Sequence, residues 1–519
     1  MHEIVTLQFG SQSNYLGTHF WNTQESYFTY PPEPESAVNH DVHFRAGIAP
    51  DGSDTFTPRA LIYDLKGAFG SMRKISALYE AEDDRSILDQ TGVWPSKPVV
   101  QKAAPIPQST YQQHLDAGLE PPQLSTSTVK YWSDYSRVYY HPKSIVQLSE
   151  FDVNDRLMPF ESWDVGMDLF EKLEREVDLV DRDLRPFIEE CDGLQGLQIM
   201  TGVDDAWGGW ASGWIERLRD EYGKLSIWTW GLGDQGGNTA IPRDRRLQQI
   251  VTSSRSLQPL AEQSSVYIPL SNRPAKVPRY LSFDSTSAWH VSALQAVGVE
   301  SMTLSSRLKT SNGRHGTLQD IEDTINSTGK RRIAKFEMSI ADPDVLSEET
   351  ADKLLNAGKV GPTNPRQTSE SEAQLSSFDI DAFTKDYRLA SSKGSKREHI
   401  FARAEACRGA WSLSEEAGRN PRDRYGDGPV LQRYTAPLLF PFLDSFPSIF
   451  DMGHTKKLAV HAGLTTSTAV AEQVRAIEQI VKRLVAVDER EALCNGLQVI
   501  AEEYDEGWDG DFTDSDDDD

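Results

Sequence analysis

The chain has 519 residues, 38% hydrophobic and 25% charged, with 53 Lys and Arg against 79 Asp and Glu and a formal net charge of −26. This length gives roughly three structural units or fewer large ones, with enough apolar residues for a sizeable core. The acidity excludes a general affinity for nucleic acid or anionic lipid and favours protein partners, basic proteins among them. Residues 501–519 hold eleven acids and no Lys or Arg, so the remainder still carries −26 + 11 = −15.

In chain order, Ile4, Thr6 and Gln8 alternate with Val5, Leu7 and Phe9, which predicts a strand ending at Gly10. A helix is predicted over 14–28, broken by "YPPEPES". Residues 60–65 predict a second strand with a turn at Gly67, and 75–130 read as a polar, proline-containing insertion. Val165, Leu169, Leu173, Val177 and Val180 have helical spacing and run into the buried-type strand "GLQGLQIM". "DDAWGGWASG" follows as a glycine loop opening an amphipathic helix. "LSIWTWGL" and "SVYIPL" are further strands, flanking the helix "RDRRLQQIVTSSRSLQPLAEQ". "SAWHVSALQAVGV" predicts a helix packed on its Ala/Leu/Val side. Residues 341–400, rich in Ser, Glu, Lys and Pro, read as a partly disordered insertion, and two helices close the chain before the acidic tail.

Strands alternating with helices predict a doubly wound, mostly parallel sheet whose ligands sit beyond the strands' carboxyl ends. Gly10, Gly67 and Gly208 all follow strands and would gather there. Each motif at that edge has two readings. The helix opened by "GSQSNYLG" suits an anion, or is a plain strand–turn–helix connection. Gly208, Gly209, Ser212 and Gly213 offer phosphate-cradling backbone, yet Trp207 and Trp210 would cover it and Asp204 and Asp205 would repel a phosphate; the alternative is a loop remodelled for packing. In "YDLKG", Asp64 offers one magnesium ligand with Lys66 where a second acid is needed, or marks an ordinary strand end. "GRHGTLQDIEDTIN" is a helix start with Thr317 capping and Asp320 three residues on, or a His, Gln319 and several acids that could activate water. Cys191, Cys407 and Cys494 are far apart and form no CxxC pair, so they read as reduced thiols with no metal cluster. No run of 18 apolar residues predicts a transmembrane helix, and the first Lys or Arg is Arg45, unlike an Arg-rich import presequence.

Several of these segments, in order, resemble tubulin: "MHEIVTLQFGSQSNYLGTHFW", "TPRALIYDL", "YWSDYSRVYYHP", "EECDGLQGLQ" and "STAVAEQVRAIEQIVKRL". "QFGSQSNYLGTHFW" with "GVDDAWGGWASG" and "TWGL" is more similar to the misato family of tubulin-related proteins. The resemblance implies a tubulin/FtsZ-like α/β fold. Its expected divisions are a nucleotide-binding-type domain over 1–275, an α+β domain over 276–455, C-terminal helices over 456–500 and an acidic tail over 501–519.

Carried over residue by residue, the nucleotide site keeps Gly10, Asn14, Gly17 and Asp64, with Gln12 in the first loop and Gly208, Gly209, Ser212 and Gly213 in the phosphate loop. It departs at Ser11, Gln12, Ser13, Lys66, Asp134, Trp207, Trp210 and Ala211, and the activating loop would put Gln319 and Ile321 at its amide and acid positions. Losing several contacts of about 1–3 kcal/mol each implies a vestigial site without catalytic residues or metal, and leaves weak binding of GTP or GDP open. The resemblance also implies a role in partitioning mitochondria and inheriting mitochondrial DNA, with peripheral mitochondrial and cytoplasmic location. The alternatives are a tubulin-biogenesis factor working with the chaperonin, or a filament-forming GTPase; partners would be chaperonin or cytoskeletal proteins rather than nucleic acid.

Overall fold

The computed structural model describes residues 2–73, 106–234, 241–309, 316–348, 378–383, 398–412 and 429–505, less 31, 33, 49–51, 53, 454, 455 and 486. The expectations for 74–105, most of 341–400 and the tail beyond 505 therefore lie outside the described residues.

β1 (Glu3–Phe9) leads through Gly10 into α1 (Ser11–Glu25), three residues earlier than the periodicity predicts. A hairpin of β2 (Phe44–Ile48) and β3 (Asp54–Pro58) precedes β4 (Ala60–Lys66). The described part of the insertion carries a short helix, α2 (Thr110–Asp116), before β5 (Ile145–Asp152). Then come α3 (Trp163–Val177), β6 (Leu194–Gly202), α4 (Ala206–Glu221), β7 (Ser226–Gly233), α5 (Arg243–Gln263) and β8 (Val266–Ser271). The six strands form one parallel sheet in the order β5-β4-β1-β6-β7-β8. β1 shows why it is covered on both sides: Val5, Leu7 and Phe9 join one core cluster and Ile4 the other, as two-residue alternation requires.

α6 (Ala288–Thr303) is buried almost throughout rather than along one stripe, because it lies between α1 and a second sheet. After α7 (Leu318–Ile325) that sheet is built from β9 (Lys335–Ala341), β10 (Ile380–Asp381), β11 (Ile400–Arg408), β12 (Val430–Ala436), β13 (Phe440–Pro441) and β14 (Lys457–Ser467). Its order is β10-β9-β14-β11-β12. The range 456–500, expected to be helical, thus begins with β14, the middle strand of that sheet, buried continuously from Leu458 to Ser467 as a strand covered on both faces is. α8 (Thr468–Leu484) and α9 (Val487–Glu502) then pack back beside α5 on the first sheet's other face. Among the described residues no helix is long and apolar enough to cross a membrane.

The two sheets are tied through α6 by a buried charged group. Glu300 accepts from Arg307 Nη2 (2.9 Å), Tyr27 Oη (3.0 Å) and Arg408 Nη1, and Arg408 Nη2 donates to Tyr27 Oη (2.8 Å). Burial alone would raise the Glu300 carboxyl, but Arg408 and Arg307 hold it below its ordinary value.

Candidate functional site

The carboxyl ends of β1, β4, β5 and β6 converge, as strand order demands, on a cleft of about 390 Å³. Ser11, Gln12, Asp64, Asp204, Asp205 and Trp207 line it. Gly10, at φ 87°, makes the turn from β1 to α1 in a conformation that favours glycine. The space a phosphate would need above it is filled: a Cβ on Gly10 would stand 2.4 Å from Trp207 Nε1.

Asp64 is wholly enclosed at the end of β4. Its carboxylate accepts from Asn14 Nδ2 (2.8 Å), Ser11 Oγ (2.9 Å), its neighbour Leu65 N (2.9 Å) and Trp132 Nε1 (3.2 Å). Burial pushes it up to about 6, against the pull of those donors. Its lone pairs are committed to protein, which leaves little for a hydrated cation. Gln12 Nε2 donates to Asn272 Oδ1, and Asn272 Oδ1 also accepts from Gln295 Nε2 of α6 (3.1 Å), so Gln12 pins α1 to the loop after β8. Asp134, where the tubulin-like segment has Asn, caps a short helical turn by accepting from Lys130 N and Tyr131 N.

The phosphate-type glycines correct the sequence reading, because Trp207 to Gly213 form the first two turns of α4 rather than a loop. Asp205 caps that helix, accepting from Trp207 N at 3.0 Å. Its glycines allow close approach. A Cβ on Gly209 would lie 2.0 Å from the Trp163 carbonyl oxygen of α3; on Gly213, 2.2 Å from the Phe170 ring; on Gly208, 2.1 Å from Ser256 Oγ of α5. Gly166 of α3 answers in kind, 1.7 Å from the Ala206 carbonyl oxygen. The Ser212 hydroxyl donates back to Gly208 O (2.7 Å) inside the helix. Trp207, Trp210 and Trp214 pack with Phe9, Tyr63, Phe160 and Phe170 into one aromatic cluster.

Six acids line the cleft: Asp64, Asp152, Asp155, Glu161, Asp204 and Asp205. Among the described lining residues the one arginine, Arg245, is paired with Glu161. Burial first, and then the Asp204 charge, hold Asp205 well above the usual carboxylate range. The lining acids that stay ionised repel phosphate charge by a few kcal/mol per close, desolvated pair. The residues present do not fit a magnesium nucleotide: the cradle over Gly10 is filled, the α4 glycines face helices, and the cation ligand is enclosed.

Gln319 and Ile321 sit away from this edge. Leu318 N donates to Gln195 Oε1 at the start of β6, and Gln319 Oε1 accepts from Ser226 Oγ at the start of β7, so α7 docks on the amino ends of the strands. Ile321 is buried in the core, and Thr317 with Asp320 forms the capping box read from the sequence. The sequence reading missed Ser11 and Trp132 as Asp64 partners and Asp152, Asp155 and Glu161 as cleft residues. Asp152 ends β5, a strand the sequence reading did not predict, so nothing marked it in advance.

Residues 2–117 match the Misato Segment II tubulin-like domain, and residues 121–308 match the Tubulin domain. The chain is 75% identical to Protein DML1 of Phaeosphaeria nodorum over the whole of both chains. It is 44% identical to Protein dml1 of Aspergillus clavatus over 99% of this chain and 100% of the relative. To Protein DML1 of Yarrowia lipolytica it is 31% identical over 75% of this chain and 84% of the relative.

Proposed function

The chain belongs to the Misato family of tubulin-like proteins, and from that premise we propose that it is a non-catalytic, tubulin-shaped protein acting in the partitioning of mitochondria and the inheritance of mitochondrial DNA. In this reading its surfaces and acidic tail engage protein partners, and it associates peripherally with mitochondria from the cytoplasm. The observation that carries the non-catalytic part is the Trp207 indole set against Gly10 in an acid-lined cleft. A tubulin-like GTPase needs that space for phosphate and that charge reversed. The mitochondrial part rests on the family resemblance.

Two measurements test the two parts separately. Nucleotide extracted from full-length protein purified without chelator, with tubulin as positive control, is expected to be absent. A stoichiometric guanine nucleotide would overturn the non-catalytic reading. Loss of the gene is expected to reduce transmission of mitochondrial DNA, with the protein in mitochondrial fractions. Normal transmission, with the protein recovered on the chaperonin, would replace that reading with tubulin biogenesis.

A further inference from the structure

A second group of chemistry-bearing side chains lies far from the cleft, on the second sheet. Glu405 and Cys407 are two residues apart on β11 and so share a face. Cys407 is the direct antiparallel partner of His461 on β14, which brings the imidazole to that same face. Ala404, Ala406 and Ala462 turn the other way, into the core shared with α6. Potential ligand atoms of Glu405, Cys407 and His461 all lie within 4.8 Å of one another. The three residues are 1%, 2% and 3% exposed.

Two polar atoms of this group have no hydrogen-bond partner, although both side chains are buried: Glu405 Oε1 and His461 Nε2. His461 Nε2 stands 3.3 Å from Glu405 Oε2, an ion pair when the imidazole is protonated, and against the upward push of burial this contact helps hold the Glu405 carboxyl below its ordinary value. Arg433 occupies Glu405 Oε2 with two bonds, from Nε (2.9 Å) and Nη2 (2.7 Å), while the Arg403 guanidinium stands 3.8 Å from Oε1. The carboxylate is thus oriented by hydrogen bonds to one oxygen, as partners behind a metal ligand orient it, while the other faces Arg403 at ion-pair distance without a hydrogen bond. The rings of Phe378 and Trp411 close over His461 at 4.8 and 5.3 Å. Unpartnered buried donors and acceptors are rare in folded proteins and call for a reason.

We propose that Glu405, Cys407 and His461 form a binding site for a zinc-class divalent cation, with water as the fourth ligand. A thiolate and an imidazole select a borderline-soft ion over magnesium or calcium. Ligands about 2.0–2.3 Å from a tetrahedral centre stand about 3.5 Å apart, so side-chain rotations of about 1 Å close the site. Binding converts the Cys407 thiol to thiolate and releases its proton to solvent. The ion cross-links β11 to β14, two adjacent interior strands of the second sheet.

Tag-free full-length protein is loaded with cobalt(II) and titrated with zinc. The expected result is one equivalent of cobalt with a thiolate-to-metal charge-transfer band that zinc abolishes. The band is lost in Cys407→Ser and kept in Cys191→Ser and Cys494→Ser. Because Cys407→Ser could fold poorly, wild-type protein is also melted with and without one equivalent of zinc, and zinc is expected to raise the midpoint. Absence of the band in folded wild type, its persistence in Cys407→Ser, or a melt indifferent to zinc would each overturn the proposal.

Discussion

Replacing Gly209 by alanine separates two accounts of the α4 glycines. In an exposed helix this change stabilises by about 0.5–1 kcal/mol, since alanine is the better helix former. If Gly209 were held over from a phosphate loop, that gain should appear. Here the new Cβ would stand 2.0 Å from the Trp163 carbonyl oxygen and 2.9 Å from Met167 N. Both obstacles are backbone, so no rotamer relieves them, and α3 must retreat by at least about 1 Å to reach a tolerable contact. That shift loosens Phe170 against Trp210 and Trp214. Overpacking of this kind costs about 1–3 kcal/mol. Gly209→Ala is therefore expected to lower unfolding stability by about 1–3 kcal/mol in urea titrations followed by tryptophan fluorescence. Gly223→Ala serves as control, because its nearest neighbour is the Arg219 carbonyl oxygen at 3.6 Å and its φ is not left-handed; it should be neutral or slightly stabilising. A Gly209→Ala protein as stable as wild type would refute the packing account.

Arg408→Met leaves Glu300 buried with half its charge compensation and should cost about 3–5 kcal/mol, with Glu300→Gln in the same chain recovering part of the loss; strict additivity of the two changes would count against the pairing. Trp207→Ala should cost about 3–5 kcal/mol as a cavity and still give a blank calorimetric titration with magnesium GTP, since the acids remain; micromolar binding by this variant would mean that the indole alone blocks the cleft. Asp64 moves up from 3.8 to about 6 in the folded chain. The native state therefore binds the extra proton, and the associated stability is present below about pH 4 and lost as pH rises to about 6, at up to about 1.4 kcal/mol per pH unit. Subtracting the stability profile of Asp64→Asn from that of wild type should isolate this slope; a flat difference across that interval would contradict it.

The α/β alternation of the first sheet was legible because burial on both faces leaves near-continuous apolar runs bounded by turns, as in β6, β7 and β8. Gly10, Gln12, Asn14 and Asp64 were grouped through the resemblance to tubulin, and the pairing of β1 with β4 brings them to one edge. What misled was Gly208 and Gly209: intrinsic propensity argues loop, while the contacts with Trp163 and Ser256 that make them helical come from segments about 40–50 residues away. The sequence reading treats Asp205 only as an acid that repels phosphate, although its place just before the helix also suits a cap, which is what it forms on Trp207 N. Spacing also concealed Cys407 and His461, which strand register alone brings together.

Tyr27, Glu300, Arg307 and Arg408 come from stretches almost 400 positions apart, yet each completes the solvation of another. A nascent chain halted before Arg408 would have to keep Glu300 wet, so the long helix carrying it could not settle between its layers until β11 had emerged. Both sheets should consequently melt in a single transition, and cutting the chain near 399 should yield an aggregation-prone fragment instead of a freestanding front half.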